Sequence, residues 1–123
     1  MLLYVGSWGT EMSEEQRRRT PRYAFIASAE LMEPKTEVRI ATRVSELSIY
    51  GCYMDMLNPF PVDTPVLVKI SAGDAVFQSK ARIIYAHPNF GAGVSFQEPE
   101  PKYLEVLKAW IVEAEKDPDR LQG

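Results

Sequence analysis

The sequence predicts a mainly β fold, a small six-stranded antiparallel barrel followed by one C-terminal α-helix. From Arg22 onward, apolar residues recur at every second position, which is the period of strands with one buried face. Turn residues separate six such runs, and no helical run lies between them, as is typical of a small antiparallel barrel. The spacing becomes helical only over residues 102–116.

The first strand is predicted from one apolar face, formed by Tyr23, Phe25, Ala27, Ala29 and Leu31. After a turn at residues 33–35, the second strand alternates over residues 38–44. Its apolar positions then move to Leu47 and Ile49, which predicts a bulge near Ser45 and Glu46.

The third strand is short. Gly51 interrupts the preceding run, and alternation continues through Cys52, Met54 and Met56. A loop follows at residues 58–61, because neither of its prolines can serve an interior ladder position.

The last three strands follow at hairpin spacing. Val66, Val68 and Ile70 form the fourth strand, which ends at a hairpin turn over residues 72–74. The fifth strand is predicted over residues 76–86 and the sixth over residues 91–96. The side chains expected on one face of the fifth strand are Phe77, Ala81, Ile83 and Tyr85.

The C-terminal helix is amphipathic. Its apolar stripe consists of Tyr103, Leu107, Trp110 and Ala114, with Leu104 and Ile111 beside it. We expect this stripe to pack on the barrel or on a second subunit, so the pattern is compatible with a monomer or a homodimer.

The length of 123 residues indicates one domain. We divide the chain into an N-terminal extension (1–15), the barrel with its helix (16–117) and a tail (118–123). Residues 1–16 lack the periodicity of the body, and we expect the extension to be flexible and translation to start at Met12.

The composition narrows the class of protein. The single cysteine, Cys52, excludes an internal disulfide and a multi-cysteine metal site. No apolar run approaches the roughly 20 residues that span a bilayer, and residues 1–5 make a poor signal peptide. We therefore expect a cytoplasmic protein with no membrane span.

Catalysis is not indicated. The single histidine, His87, precedes a proline in a turn, and Cys52 lies in an apolar strand without a nearby base. No residue group has metal-ligand spacing, and no glycine-rich phosphate loop precedes a helix. We expect a non-enzyme with no metal and no cofactor.

Charge is unevenly distributed. The net charge is -3, from 14 basic and 17 acidic residues, yet Arg17, Arg18, Arg19 and Arg22 crowd together. Without these four, 10 basic residues face 17 acidic ones, a net charge of -7. A compact arginine cluster on an acidic body suits a small anionic ligand better than DNA or RNA. A solvated basic tail would give the same pattern.

Two motifs offer ligand-binding chemistry. Arg18 and Arg22 stand four positions apart on an extended approach to the first strand, and guanidinium groups bind phosphate oxygens and the O6/N7 edge of guanine. Farther along, Glu46 and Ser48 are expected on one face, and Gly51 would permit a tight bend or a close ligand approach. Taken separately, each motif also fits an ordinary strand end.

Together the motifs resemble the PilZ domain family. The resemblance rests on Arg18-x-x-x-Arg22, Glu46-x-Ser48-x-x-Gly51 and the closing residues 91–96, Gly-Ala-Gly-Val-Ser-Phe. It implies a PilZ-like barrel that binds the bacterial second messenger cyclic di-GMP and signals to an effector protein that the sequence does not identify. The resemblance assigns ligand binding to Arg18, Arg22, Ser48 and Gly51, with Arg17 beside the first motif.

Glu46 departs from the family pattern, which has Asp or Asn there. Glutamate keeps the acceptor carboxylate but adds one methylene, which changes its reach and raises the entropy cost of fixing it. The alternative is therefore a PilZ-like interaction module with lost or weakened ligand binding, using the exposed side of the helix and the region of Met54 and Met56. Single-stranded nucleic-acid binding is the least favoured reading because of the acidic balance.

Overall fold

The fold is known from a computed structural model that describes residues 20–116. The predicted extension, the start at Met12, Arg17, Arg18 and the tail at 118–123 lie outside the described residues. Among residues 20–116, no helix is long and apolar enough to span a bilayer.

Six strands and one helix make up the described part of the chain. In chain order they are β1 (Tyr23–Glu33), β2 (Val38–Leu47), β3 (Gly51–Asp55), β4 (Pro65–Ala72), β5 (Ala75–His87), β6 (Gly91–Gln97) and α1 (Pro101–Lys116). The strands close into a barrel in the order β1-β2-β3-β6-β5-β4, and every neighbouring pair is antiparallel. The predicted fold class is confirmed.

The barrel interior is apolar, as the period of two predicts. The largest side chains that are almost completely buried are Phe25, Phe77, Leu31, Leu47, Met54, Ile70, Ile83 and Leu107. Among the described residues, no polar or charged residue is buried in this core. Burial of this apolar surface is the main force that holds the barrel closed.

The helix packs on the barrel. Its buried residues are Leu107, Trp110 and Ala114, which belong to the predicted stripe. The Trp110 ring lies 5.4 Å from that of Phe25, and the Tyr103 ring lies 6.5 Å from that of Phe77. The helix therefore covers the barrel along β1 and β5.

Bulges set which side chains face outward. The register of β2 against β3 shifts between Val44 and Glu46, so the predicted bulge near Ser45 is confirmed. A second shift lies between Ile83 and Tyr85, on β5 against β6. An extra residue in one strand reverses the face of the residues that follow.

The second bulge corrects the prediction for Tyr85. Ile83 pairs with the buried Val94, whereas Tyr85 pairs with Gly93 on the opposite, outer face. Strict alternation had placed Tyr85 with Ile83, and the extra residue, Ile84, moves it outside.

The side chains of Met54 and Met56 are not available to a partner. Met54 is fully buried and Met56 is 9% exposed. Both side chains belong to the barrel core, because they share the inward face of the β3 segment with Cys52. A partner that binds this region would therefore contact other side chains, such as the exposed Leu57.

Candidate functional site

A row of directly paired residues crosses the outer face of the barrel. Glu46 on β2 pairs with Tyr53 on β3, Tyr53 pairs with Gly93 on β6, and Gly93 pairs with Tyr85 on β5. Directly opposite residues in antiparallel strands project to the same face. One carboxylate and two phenol rings are thus aligned across four strands.

A shallow, solvent-open cleft lies over this row, and its volume accessible to water is about 40 Å³. Its polar and aromatic lining comes from the approach to β1, from the β2–β3 turn and from the outer faces of β3, β5 and β6. These lining residues are Thr20, Arg22, Glu46, Ser48, Tyr50, Tyr53, Tyr85 and Ser95, with the backbone at Gly51 and Gly93.

Ser48 organises the turn between β2 and β3. Its Oγ accepts hydrogen bonds from the backbone N–H groups of Tyr50 (3.2 Å) and Gly51 (3.1 Å). The Ser48 N–H donates to the Gly51 carbonyl at 2.8 Å. The hydroxyl therefore holds the turn in shape, a common role for serine in turns.

Gly51 is required by a close backbone approach. A Cβ atom at this position would overlap the Val94 carbonyl of β6. The backbone of Gly51 is not in the left-handed region, so steric room, not unusual dihedral angles, favours glycine here. The sequence predicted a tight bend or a close ligand approach at Gly51. The close approach that the structure shows is that of the neighbouring strand β6.

Two charged side chains of opposite sign face the cleft. Arg22 is exposed immediately before β1, and Glu46 is half-buried near the end of β2. Within residues 20–116, no hydrogen bond or ion pair occupies the Glu46 carboxylate. This carboxylate can therefore accept hydrogen bonds from a bound molecule.

The start of β1 is also joined to the helix. The Tyr23 hydroxyl donates a hydrogen bond of 2.9 Å to the Glu115 carboxylate near the end of α1. This bond raises the pKa of Tyr23, with smaller contributions from desolvation and from the charge of Glu115. The residue that follows Arg22 thus connects the cleft to the helix.

Four predicted site residues meet in the cleft: Arg22, Glu46, Ser48 and Gly51. Arg22 lies beside residues 46–51 because β1 pairs with β2, and Ala24 is directly opposite Glu46 in that pairing.

Sequence reasoning missed the two tyrosines. Tyr53 alternates with the buried Cys52 and Met54, so its outward direction could have been read from the pattern. Tyr85 could not, because the bulge at Ile84 reverses its direction. Neither tyrosine belongs to a motif that the sequence singled out.

The two groups considered for catalysis, Cys52 and His87, lie in different environments. Cys52 is buried, and desolvation raises the pKa of its thiol far above the ordinary value. His87 is exposed, and its ring lies 5.1 Å from that of Tyr85. Within the described residues, no cluster of three or more His, Cys, Asp or Glu side chains could hold a metal ion.

Comparison with known proteins identifies the family. The sequence matches the PilZ domain model over residues 16–113, and the chain belongs to the PilZ domain family. No curated protein sequence matches it.

Solved PilZ structures share the fold. The chain is similar to the PilZ domain of YcgR from Escherichia coli with c-di-GMP, with a TM-score of 0.68, 16% identity, and coverage of 87% of this chain and 98% of that one. It is also similar to the PilZ domain of CeSA from a cellulose-synthesizing bacterium (TM-score 0.65, 17% identity, 78% and 99% coverage). The structure of the Bacillus subtilis inhibitor of motility MotI/DgrA is also similar, with a TM-score of 0.64 and 13% identity. The match covers 85% of this chain and 56% of that one.

Proposed function

We propose that this chain is a cyclic di-GMP receptor. Arg17, Arg18 and Arg22 would form the arginine arm, and Glu46, Ser48 and Gly51 the barrel-surface part of the site. The observation that carries the proposal is that Arg22 lines the same cleft as Glu46, Ser48 and Gly51. The similarity to the YcgR PilZ domain, whose structure contains c-di-GMP, supports the choice of ligand.

The chemistry of the cleft matches the two parts of this ligand. A guanidinium group at Arg22 can make paired hydrogen bonds to phosphate oxygens or to the O6/N7 edge of guanine. The carboxylate of Glu46 can accept from the N–H groups on the opposite edge of the base. A site with both groups and the neighbouring arginines would favour a ligand with two guanines and two phosphates over a free anion or over GTP, which carries a single guanine.

Ser48 and Gly51 would act through the turn. Ser48 Oγ is already committed to the N–H groups of Tyr50 and Gly51. These residues would therefore fix the surface beneath the base and hold Glu46 in position, instead of supplying the main polar contacts. A preformed surface lowers the entropy cost of binding.

We further propose that binding relays a signal to a partner protein, and that the chain is not an enzyme and acts in the cytoplasm. Arginines that bind the ligand would present a different surface to the partner, so ligand binding would change what the partner contacts. The Tyr23–Glu115 hydrogen bond gives the segment after Arg22 a direct connection to the helix.

Isothermal titration calorimetry with cyclic di-GMP tests the receptor proposal, with GTP as the control ligand. We expect saturable binding of micromolar strength or tighter for cyclic di-GMP and none for GTP. Arg22→Ala should abolish binding and leave the melting temperature nearly unchanged. Arg39→Ala is the matched control, because Arg39 is exposed and pairs with Glu30 outside the cleft.

The same titration distinguishes the alternative. A well-folded sample that releases no heat at high concentration would contradict the receptor proposal and favour an interaction module. Glu46→Asp then identifies the cause, since recovered binding would assign the loss to the extra methylene. Tight binding by Arg22→Ala would instead show that the site has been placed wrongly.

A further inference from the structure

Tyr53 and Tyr85 stand on either side of Gly93 within the cleft. Both pair directly with this glycine, one from β3 and the other from β5. Their ring centroids are 6.1 Å apart, and the ring planes differ by 30°. We propose that the two rings form an aromatic platform on which a purine base of the bound ligand stacks, an inference that rests on the proposed function.

Gly93 makes the platform possible. A Cβ atom at this position would overlap the ring of Tyr85, so the ring lies directly against the glycine backbone. The absence of a side chain between the two strands lets the rings approach each other over the sheet. A Cβ atom at Gly91, two residues earlier on the same face of β6, would overlap the ring of Tyr53, so both rings lie over this strand.

His87 supports the rings from the side. Its ring lies 5.1 Å from that of Tyr85 and 6.1 Å from that of Tyr53, with plane angles of 31° and 39°. The three distances between ring centroids are similar, so the centroids of Tyr53, Tyr85 and His87 form a triangle and not a single stack. Each ring is thus restrained by two others, which reduces the entropy lost when a ligand binds.

Both tyrosines remain partly accessible. Tyr53 and Tyr85 are half-buried, and both line the same cleft as Arg22. Aromatic rings and guanidinium planes are the two protein surfaces that stack on nucleobases. A base entering this cleft can therefore lie against the tyrosines on one side and meet the arginine on the other.

The platform and Glu46 would have different roles in recognition: the rings would increase affinity, and Glu46 would select the base. Every nucleobase has a π face, so stacking strengthens binding without selecting a base. Glu46 pairs with Tyr53 across the strands and lies beside the platform, where its carboxylate can select the hydrogen-bonding edge. Loss of the rings should therefore lower affinity for cyclic di-GMP and leave the preference for cyclic di-GMP over cyclic di-AMP, which differ in the base, intact.

The test compares leucine and phenylalanine at each position by calorimetric titration with cyclic di-GMP. Tyr53→Leu and Tyr85→Leu should each weaken binding by about 5-fold to 100-fold, the range that stacking of one base supports. Tyr53→Phe and Tyr85→Phe keep the π face and should bind within about 3-fold of the unaltered protein. Tyr103→Leu is the matched control, because Tyr103 is a half-buried tyrosine outside this cleft.

Each result has a definite meaning, provided that melting curves confirm folded variants. Unchanged affinity in both leucine variants would overturn the platform and leave the receptor proposal standing. Equal losses with phenylalanine and leucine would assign the effect to the hydroxyl groups, and would also overturn stacking. Absence of binding by the unaltered protein would overturn both proposals.

Discussion

Ser48 and Gly51 are joined by three hydrogen bonds across the turn between β2 and β3. The Ser48 N–H donates to the Gly51 carbonyl, the Gly51 N–H donates to Ser48 Oγ, and the hydroxyl donates back to the Gly51 carbonyl at 3.2 Å. Two residues of the candidate ligand motif therefore build the surface on which they lie. Variants at these positions are expected to change stability as well as binding.

Ser48→Ala should lower the free energy of unfolding by about 1 kcal/mol, because the turn loses its side-chain hydrogen bonds while water can still reach it. Urea denaturation of the free protein measures this change. Ser28→Ala is the control, since Ser28 is exposed on the outer face of β1. Equal stability of the two variants would contradict the structural role of the hydroxyl.

Gly51→Ala should be more harmful, at about 2 kcal/mol or more, because the new methyl group would meet the Val94 carbonyl and the strands would have to separate. Gly73→Asn provides the comparison: Gly73 has a φ of 61° but open space around its Cβ position, and asparagine tolerates that conformation. Chemical denaturation of both variants separates crowding from backbone strain. A fully stable Gly51→Ala protein would show that the approach of β6 does not require glycine.

The Tyr23–Glu115 hydrogen bond predicts a pH dependence of stability. The bond raises the folded-state pKa of Tyr23 above its unfolded value of about 10. Its contribution is therefore complete below pH 10 and is lost as the pH rises through the folded-state pKa. Melting temperatures should favour the unaltered protein over Tyr23→Phe at neutral pH, and this advantage should disappear in strong alkali.

A second variant identifies the partner in that bond. Glu115→Ala removes the acceptor, so it should lower the alkaline midpoint of Tyr23 ionisation. If Tyr23→Phe had the same melting temperature as the unaltered protein throughout the pH range, the bond would have no part in joining β1 to the helix.

Cys52 should be unreactive in the folded protein. The thiol is buried and its pKa is raised, so little nucleophilic thiolate forms at neutral pH. Iodoacetamide should label the native protein very slowly and the guanidinium-unfolded protein rapidly. Because the chain has one cysteine, intact-mass measurement gives the labelled fraction directly. Rapid native labelling would show that the thiol is accessible and would reopen a chemical role for it.

Local sequence patterns predicted much of this protein. Alternation located six strands, helical spacing located α1, and the displaced apolar positions after Val44 located the bulge near Ser45. These features depend on which residues one strand or helix buries, and the spacing of apolar residues along that segment shows which they are. The arginines and the Glu46–Gly51 motif were visible because the residues of each group lie close together in the chain.

The tertiary structure decided how these pieces meet. The bulge at Ile84 turned Tyr85 outward, and the pairing of β3, β6 and β5 placed it opposite Tyr53 across Gly93. Closure of the barrel also buried the side chains of Met54 and Met56, whose region the sequence analysis had suggested as a contact surface. Pairing between strands depends on residues far apart in the chain, so alternation within one strand could determine its own inner face but not the neighbours of its outer one.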